Sequence, residues 1–185
     1  MIEGKGKSAK RKGTRVEKEA AKALQREFDR MGSNLVARRV IGSGAWGGFD
    51  SAMRGDVKIE RGGRIMERIE VKAADPNRKS GPITIAFMDK AREFRRILIA
   101  KHDRGEFLCS MWGDVLVDLR HKAGDMNHPV IAIMQNSTRG VTIGDVQAQI
   151  EGHGGLRPVQ WGAAVYMDLA HLAELLDAAH ADAGK

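Results

Sequence analysis

Apolar residues recur at helical spacing near the start of the chain. The pattern predicts a helix over residues 14–31, with Thr14 as its N-cap and Gly32 as its end. Its apolar stripe consists of Val16, Ala20, Ala23, Leu24 and Phe28. A short strand is predicted next, over residues 35–41, and a glycine-rich loop follows from 42 to about 55.

Residues 56–72 alternate between apolar and polar positions, which is typical of a β-hairpin. Its arms are predicted over 56–60 and 64–72, joined by the Arg-Gly-Gly turn at 61–63. Successive side chains of a strand point to opposite faces, so one face of this hairpin packs on a core and the other faces a cleft. The residues expected on the core face are Val57, Ile59, Ile69 and Val71.

The rest of the chain is predicted to contain strands and helices in mixed order. Strands are expected over 83–87, 107–112, 114–119, 129–134 and 159–167. Helices are expected over 89–102, 142–151 and 168–180. This succession indicates an α/β fold with a mixed central β-sheet flanked by helices. One domain is predicted over 14–185, made of a core over about 14–135 and a C-terminal extension over about 136–185.

The charge of the chain favours a polyanionic partner. It has 31 Lys and Arg against 24 Asp and Glu, a net charge of +7, and a pI of about 9.8. A basic protein of this size is predisposed to bind nucleic acid, although charge alone is not specific. Residues 1–13 are rich in Lys, Gly and Arg and predict a flexible basic tail. Two roles stay open for that tail, a DNA-tracking arm and a solubilising segment.

The single cysteine, Cys109, excludes a disulfide within one chain and indicates a reducing compartment. Because it lies in an apolar run over 107–112, it is predicted to be a small buried hydrophobe rather than a nucleophile. No signal peptide and no membrane-spanning run is recognisable in the sequence. The prediction is a cytoplasmic protein of a prokaryotic or phage-infected cell, without a membrane partner.

The residues with the clearest chemical meaning are Asp56, Glu70 and Lys72. Glu70 and Lys72 are two apart on the second hairpin arm and therefore share a face. Asp56 starts the first arm, and pairing across the hairpin can bring its carboxylate near Glu70. Two carboxylates and a backbone carbonyl form a hard oxygen site suited to Mg²⁺ or Mn²⁺. Phosphodiester hydrolysis uses such a site, with a lysine to orient the attacking water or to stabilise developing negative charge.

Four motifs occur in order along residues 11–72: Arg-Lys-Gly13-x-x-x-Glu17, Arg39-x-x-Gly42-Ser43, Gly-Asp56-Val and Ile-Glu70-Val-Lys72. On an αβββ pattern, this ordered set resembles the archaeal-type Holliday-junction resolvases of the PD-(D/E)xK nuclease superfamily. The resemblance implies a restriction-endonuclease-like core and a Mg²⁺-dependent enzyme in which Mn²⁺ substitutes. It also implies a homodimer whose two sites cut opposed strands of a four-way DNA junction.

The resemblance also assigns roles to individual residues. Asp56 and Glu70 correspond to the metal ligands, and Lys72 to the catalytic lysine. Glu17 corresponds to a helix-borne carboxylate that approaches the metal, often through water. Arg39 corresponds to an arginine on the phosphate near the cut, and Ser43 to a serine near the active site. The residues expected to contact DNA are Lys12, Lys18, Arg38, Arg39, Trp46 and Arg54.

Each assignment has a plainer alternative. Glu17 stands three residues after Thr14 and would also suit a capping box, and Glu19 is a neighbouring candidate. Asp56, Glu70 and Lys72 could form a cross-strand ion-pair group on an exposed hairpin face. Arg38 and Arg39 point to opposite faces of their strand, and the resemblance favours Arg39 for the cleft.

The loop sequence Gly42-Ser-Gly-Ala-Trp-Gly47 matches the dinucleotide-binding pattern G-x-G-x-x-G. That motif opens a helix and is followed by an acid about twenty residues on, whereas a strand is predicted within ten residues here. A loop whose backbone N–H groups approach DNA phosphates fits better. Trp46 and Phe49 either stack on an unpaired base or lie buried under the loop.

The sequence therefore predicts a structure-selective DNA endonuclease that resolves Holliday junctions in recombination and repair. Its expected partners are branched double-stranded DNA and a second copy of itself. Two alternatives stay open: a nuclease of the same superfamily with a restriction or repair target, and a catalytically inactive DNA-binding protein of the same fold.

Overall fold

A computed structural model describes residues 4–40, 56–74, 83–92, 96–102, 105–125, 131–133, 141–152 and 158–181. Five helices are formed by these residues: α1 (Gly4–Met31), α2 (Ile85–Arg92), α3 (Gly113–Ala123), α4 (Ile143–Gly152) and α5 (Leu169–His180). The strands are β1 (Val36–Arg39), β2 (Val57–Arg61), β3 (Arg64–Ala74), β4 (Ile97–His102), β5 (Phe107–Trp112), β6 (Ile131–Ile133), β7 (Val159–Trp161) and β8 (Ala164–Met167).

All eight strands join one mixed sheet in the order β1-β2-β3-β4-β5-β8-β7-β6. Neighbouring strands are antiparallel except in two pairs, β3 with β4 and β6 with β7. The predicted α/β class with a mixed central sheet flanked by helices is confirmed. Strands from the predicted C-terminal extension add to the same sheet as those of the predicted core.

The sheet separates two apolar cores. On one face, α1, α3 and α5 pack against strand residues that include Val57, Ile69 and Ile97. On the other face, α2 and α4 pack against residues such as Leu98 and Ala100. Successive residues of β4 belong alternately to the two cores, so this strand is buried on both faces. The result is a three-layer helix–sheet–helix architecture.

The predicted hairpin is present and closes at a two-residue turn. Gly62 and Gly63 have φ of 55° and 81°, the left-handed conformation that a tight hairpin turn of this type requires at both positions. Only glycine adopts it without a steric cost from Cβ. The register shifts between Ile59 and Glu60, where β3 carries an extra residue. Beyond that bulge, Val57 pairs with Ile69 and both side chains are buried.

The first helix begins earlier than predicted. Helix α1 includes residues 4–13, so the predicted flexible tail is wrong for that segment, and residues 1–3 lie outside the described part. Thr14 is inside the helix and does not cap it. Residues 7–12 contain Ala, Lys and Arg, which have high helix propensity and extend the helix from the packed segment.

The strand predicted over 83–87 is wrong, and of the described residues in the helix predicted over 89–102 only 89–92 are helical. Thr84 makes only an isolated bridge with Thr142 before α2 begins at Ile85, and the predicted end of the helix is strand β4. Ile97, Leu98, Ile99 and Ala100 are all fully buried. A strand covered on both faces reads as a continuous apolar run without alternation, which is why periodicity misassigns it.

Residues 114–119 were predicted as a strand and belong to helix α3 instead. Val115, Leu116 and Leu119 bury one face of this helix, the spacing of a helical stripe. Gly124 ends it in the left-handed conformation, and Asp114 lies in its first turn. The predicted strand over 159–167 is two strands, β7 and β8, separated by a turn at Gly162. The helices predicted over 142–151 and 168–180 are confirmed as α4 and α5.

Helix α5 begins at an acidic cap, and we expect this cap to contribute a pH-dependent part of the stability. The Asp168 carboxylate accepts a hydrogen bond of 2.7 Å from the backbone N–H of His171. Burial opposes ionisation of Asp168, but hydrogen bonds from the side chain and backbone of His171 and the backbone of Ala170 outweigh it, so the pKa is lowered.

Asp168→Ala should lower the free energy of unfolding by about 1 kcal/mol at pH 7. Because the folded pKa is depressed, this contribution is present above the ordinary value of 3.8 and is lost as pH falls below it. Urea unfolding at pH 7 and pH 3 measures both effects, with Asp168→Asn as a control that keeps the cap. An equal loss at both pH values would contradict the assignment.

Candidate active site

Asp56 is held between β1 and β3 at the point where β2 begins. Its backbone N–H donates to the carbonyl of Ile69 at 2.9 Å, and its carbonyl accepts from the N–H of Val40 at 2.9 Å. Its carboxylate Oδ2 accepts a third bond of 2.9 Å, from the backbone N–H of Val71. The bonds to Ile69 and Val71 lie on either side of Glu70, so Asp56 stands opposite that residue. The prediction that the hairpin brings Asp56 to the Glu-Val-Lys segment is confirmed.

Glu70 and Lys72 occupy alternate positions on β3 and share its outer face. Val71 between them is buried in the core that contains α1. The Lys72 ammonium donates to Glu70 Oε1 at 2.5 Å. The side chains of Glu70 and Lys72 are 17% and 34% exposed. Both are therefore partly withdrawn from water yet reachable from outside, as a site that takes a large substrate requires.

A second charged pair, on the other face of the sheet, joins α1 to β1. Val16 and Ala20 bury one face of α1 against the sheet and leave Glu17 at its edge. The Arg39 guanidinium donates from Nε to Glu17 Oε2 at 2.6 Å, and from Nη2 to the hydroxyl of Thr14 at 3.4 Å. Glu17 is thus an ion-pair partner in this structure.

The two pairs lie at the same end of the sheet. Arg39 pairs in register with Val57, and the next residue on each strand forms the Val40–Asp56 backbone bond. Arg39 and Arg38 point to opposite faces, as predicted, since Arg39 contacts α1 while Arg38 pairs with Glu60 at 3.4 Å. The two pairs lie on opposite faces, however: Arg39 and Glu17 are on the face that packs against α1, whereas Glu70 and Lys72 are on the other face.

The carboxylates nevertheless do not form one preassembled metal cage. Within the described part of the chain, three or more His, Cys, Asp or Glu side chains nowhere gather into a group that could hold a metal ion. The structure brings Asp56 together with Glu70 and Lys72, and Glu17 together with Arg39. The role of Glu17 as a third metal ligand stays a prediction.

Asp56 and Glu70 fit a divalent cation in the chemistry of their donor atoms. Both offer hard oxygen ligands, and Mg²⁺ is commonly bound by one or two carboxylates with water and substrate phosphate completing its shell. In this structure the positive charge next to Glu70 is the Lys72 ammonium. A cation bound at Glu70 would release Lys72 toward a substrate.

Several predicted site residues lie beyond what the structure describes. Ser43, Trp46 and Arg54, along with Phe49, fall in the segment 41–55, which is outside the described residues. Lys12 is part of helix α1, and its side chain is outside the described set. Lys18 is exposed on α1. The predicted DNA contacts of these residues stay predictions.

The structure adds residues that the sequence interpretation missed. Thr14 supports Arg39 from the helix instead of capping it. Lys58 and Glu60 pair at 2.7 Å on the outer face of β2, and Lys58 is in register with Arg68 on β3. The sequence does contain a signal for this pair, because the alternation that places Val57 and Ile59 on the core face also places residues 58 and 60 on the outer face.

Cys109 is fully buried. Burial, with the charge of Asp168 as a smaller cause, raises the pKa of its thiol well above the usual value. The thiol therefore stays protonated, and the prediction of a buried hydrophobe is confirmed.

In the part of the chain that the structure describes, no helix has both the length and the apolar character needed to cross a bilayer.

Comparison of this chain with known protein families, with characterised proteins and with solved structures finds no match.

Proposed function

We propose that the protein is a metal-dependent DNA endonuclease that hydrolyses phosphodiester bonds in branched DNA and resolves four-way junctions by paired nicks. The observation that carries this proposal is the 2.9 Å bond that fixes the Asp56 carboxylate on the amide of Val71, between Glu70 and Lys72. It links residues 15 positions apart in sequence and brings Asp56 to the strand segment that carries Glu70 and Lys72.

The chain order supports a restriction-endonuclease-like core. Helix α1 is followed by the antiparallel strands β1, β2 and β3, which is the αβββ pattern that the resemblance implies. Helix α2 then leads to β4, which lies parallel to β3 on its other side. The acidic site lies on β2 and β3, within this part of the chain.

Each of these residues would have a separate role in hydrolysis. Asp56 and Glu70 would hold the divalent cation, whose contribution is to acidify water and to neutralise charge on the phosphate. Lys72 would hydrogen-bond either the attacking water or the developing negative charge. The water oxygen would form a bond to phosphorus as the bond to one bridging oxygen breaks; the water would lose a proton to solvent, and the leaving oxygen would take up a proton from solvent.

Arg39 would bind the phosphate next to this centre, and Glu17 would position Arg39 and approach the metal. The Arg39 guanidinium has five N–H donors in a fork that suits a phosphate. Its present partners, Glu17 and Thr14, hold it against α1 at the same end of the sheet. A charge of +7 on the chain adds general attraction for DNA.

Cleavage of a labelled four-way junction and of a linear duplex of the same sequence tests the substrate. Symmetric paired nicks across the junction, absent in EDTA, are the expected result with Mg²⁺ and with Mn²⁺. Equal cutting of the linear duplex would support the proposed nuclease activity but contradict the proposed preference for junctions. Junction binding without cleavage in either metal would leave a DNA-binding protein.

Sedimentation of the complex tests the proposed homodimer, which must contain two chains for each junction.

A further inference from the structure

A cavity lies between helix α1 and the sheet, where β4 ends and β5 begins, on the face opposite to Glu70 and Lys72. Lys101 alternates with Ile97 and Ile99 along β4, and both isoleucines belong to the core that contains α1. The cavity measures about 450 Å³, which is within the size range of small-molecule sites. It is called the α1 cavity below, and its lining residues are Glu19, Lys22, Gln25, Arg26, Lys101 and Phe107.

Glu19 supplies the negative charge of this lining and already contacts two cations. Its Oε2 lies 3.0 Å from the Lys101 ammonium, and its Oε1 lies 3.5 Å from the Arg15 guanidinium. Each carboxylate oxygen of Glu19 is therefore next to a cation other than Lys22. Since Lys101 is balanced by Glu19, it adds no net charge to the cavity.

Lys22 and Arg26 are the cations of the lining that stay unbalanced. They are four residues apart, so they lie on the same side of α1, and both are exposed to solvent. Neither forms an ion pair or a hydrogen bond with any residue that the structure describes. Asp29, one turn beyond Arg26, accepts a hydrogen bond of 2.8 Å from Gln25 instead. The solvent side of the α1 cavity therefore carries two positive charges that can receive an anion.

Phe107 gives the α1 cavity an apolar wall. It is half-buried and packs against the core that contains α1. Lys101 is its cross-strand neighbour in register, and the Lys101 ammonium lies 4.5 Å from the centre of the ring. This cation–π contact, together with the ion pair to Glu19, holds the Lys101 side chain in place against the ring. An apolar wall beside two unbalanced cations suits a ligand that has an anionic end and an apolar part.

A nucleotide combines these two properties. Its phosphate matches the planar fork of the Arg26 guanidinium, and the Lys22 ammonium binds the same group as a point charge. Its sugar and base offer apolar surface to Phe107, which a simple inorganic anion lacks. Gln25 is already engaged, since its side-chain carbonyl accepts from the N–H of Ala37 at 2.8 Å and its amide donates to Asp29.

From this arrangement we infer that the α1 cavity binds the phosphate of a nucleotide at Lys22 and Arg26, with the sugar and base against Phe107. The nucleotide is either a unit of a DNA strand or a free nucleotide, and the two sources share this chemistry. The site lies across the sheet from Glu70 and Lys72, so its occupation does not depend on cleavage at the acidic site.

The test compares two probes with the double variant Lys22→Gln/Arg26→Gln in EDTA. Glutamine keeps the helix propensity of α1 and removes both charges. Fluorescence anisotropy of a labelled single-stranded oligodeoxynucleotide, between about 50 and 200 mM salt, should show a slope of log K against log salt that is lower by about 1.4. Calorimetric titration with deoxyadenosine monophosphate should show an affinity at least about 10-fold weaker than that of the wild type.

The matched control is Arg64→Gln/Lys122→Gln, which also removes one arginine and one lysine. Arg64 and Lys122 are both exposed, but they lie at the start of β3 and on α3, outside the lining of the α1 cavity. The control should bind both probes as the wild type does. Thermal unfolding of both double variants should stay within a few degrees of the wild type.

The two sources of the nucleotide are separated by the probe that responds. An effect of the site variant on the oligonucleotide alone supports a DNA strand as the source, and an effect on the mononucleotide supports a free nucleotide. Equal behaviour of the site variant and the control with both probes would overturn the inference, and so would a wild type that binds neither probe. Cleavage enters none of these readouts, so failure of the proposed function would leave them unchanged.

Inorganic phosphate tests the role of the apolar wall. It should compete for the site about 10-fold more weakly than deoxyadenosine monophosphate, because it has no apolar surface to bury against Phe107. Equal competition by the two anions would overturn the nucleotide as the ligand.

Discussion

Replacing Asp56 with asparagine should reduce the rate of metal-dependent DNA cleavage by at least about 100-fold. Asparagine keeps a carbonyl oxygen that can accept the hydrogen bond from the N–H of Val71, so the hairpin geometry is preserved. It loses the negative charge, and with it the ligand strength that a hard cation requires. The effect is therefore expected on the chemistry rather than on the fold.

Single-turnover cleavage and thermal unfolding of Asp56→Asn together measure this prediction. Asp29→Asn is the matched control, because Asp29 is an exposed acid on α1 that also accepts a hydrogen bond, from Gln25. The control should cleave at the wild-type rate, and both variants should unfold within a few degrees of the wild type. Retained cleavage by Asp56→Asn would rule out Asp56 as a metal ligand.

Replacing Lys72 with methionine should separate metal binding from catalysis. Methionine fills a similar volume but carries no charge, so Glu70 loses its 2.5 Å ion-pair partner. Affinity for Mn²⁺ should stay equal or rise, because the cation no longer competes with the ammonium for Glu70. The cleavage rate should fall about 10²- to 10³-fold, the usual cost of removing one donor that stabilises a transition state.

Calorimetric titration with Mn²⁺ and single-turnover cleavage give the two readouts for Lys72→Met. Lys101 offers a matched control, since it lies on the neighbouring strand β4 and pairs with Glu19 at 3.0 Å. Lys101→Met should cleave within a few-fold of the wild type. If Lys72→Met instead loses Mn²⁺ binding and cleavage in parallel, Lys72 acts in assembling the site and not in the chemical step.

The hairpin and the placement of its charged residues could be predicted from sequence because two local rules apply there. Alternation of period 2 puts Glu70 and Lys72 on one face, and Gly62-Gly63 marks the turn. Asp56 could be brought near them by pairing across that turn. Its bond to the amide of Val71 depends on the register at the start of β2, which composition does not specify.

The features that sequence patterns did not predict depend on tertiary structure. Strand β4 lies between two helical layers, and a run such as Ile97–Ala100 fits a buried helix as well as a buried strand. The pairing of Glu17 with Arg39 joins α1 to β1 through tertiary packing, and periodicity indicates only that each lies near a boundary of its element.

The central claim is that Asp56, Glu70 and Lys72 form a metal-dependent hydrolytic site. Its most direct test is strand cleavage by the purified wild-type protein on a four-way junction, a linear duplex and a single strand, with Mg²⁺ present, then chelated by EDTA, then restored in excess. The account predicts cleavage that stops on chelation and resumes with the metal. DNA binding with no cleavage of any of the three substrates, in Mg²⁺ or in Mn²⁺, would contradict it.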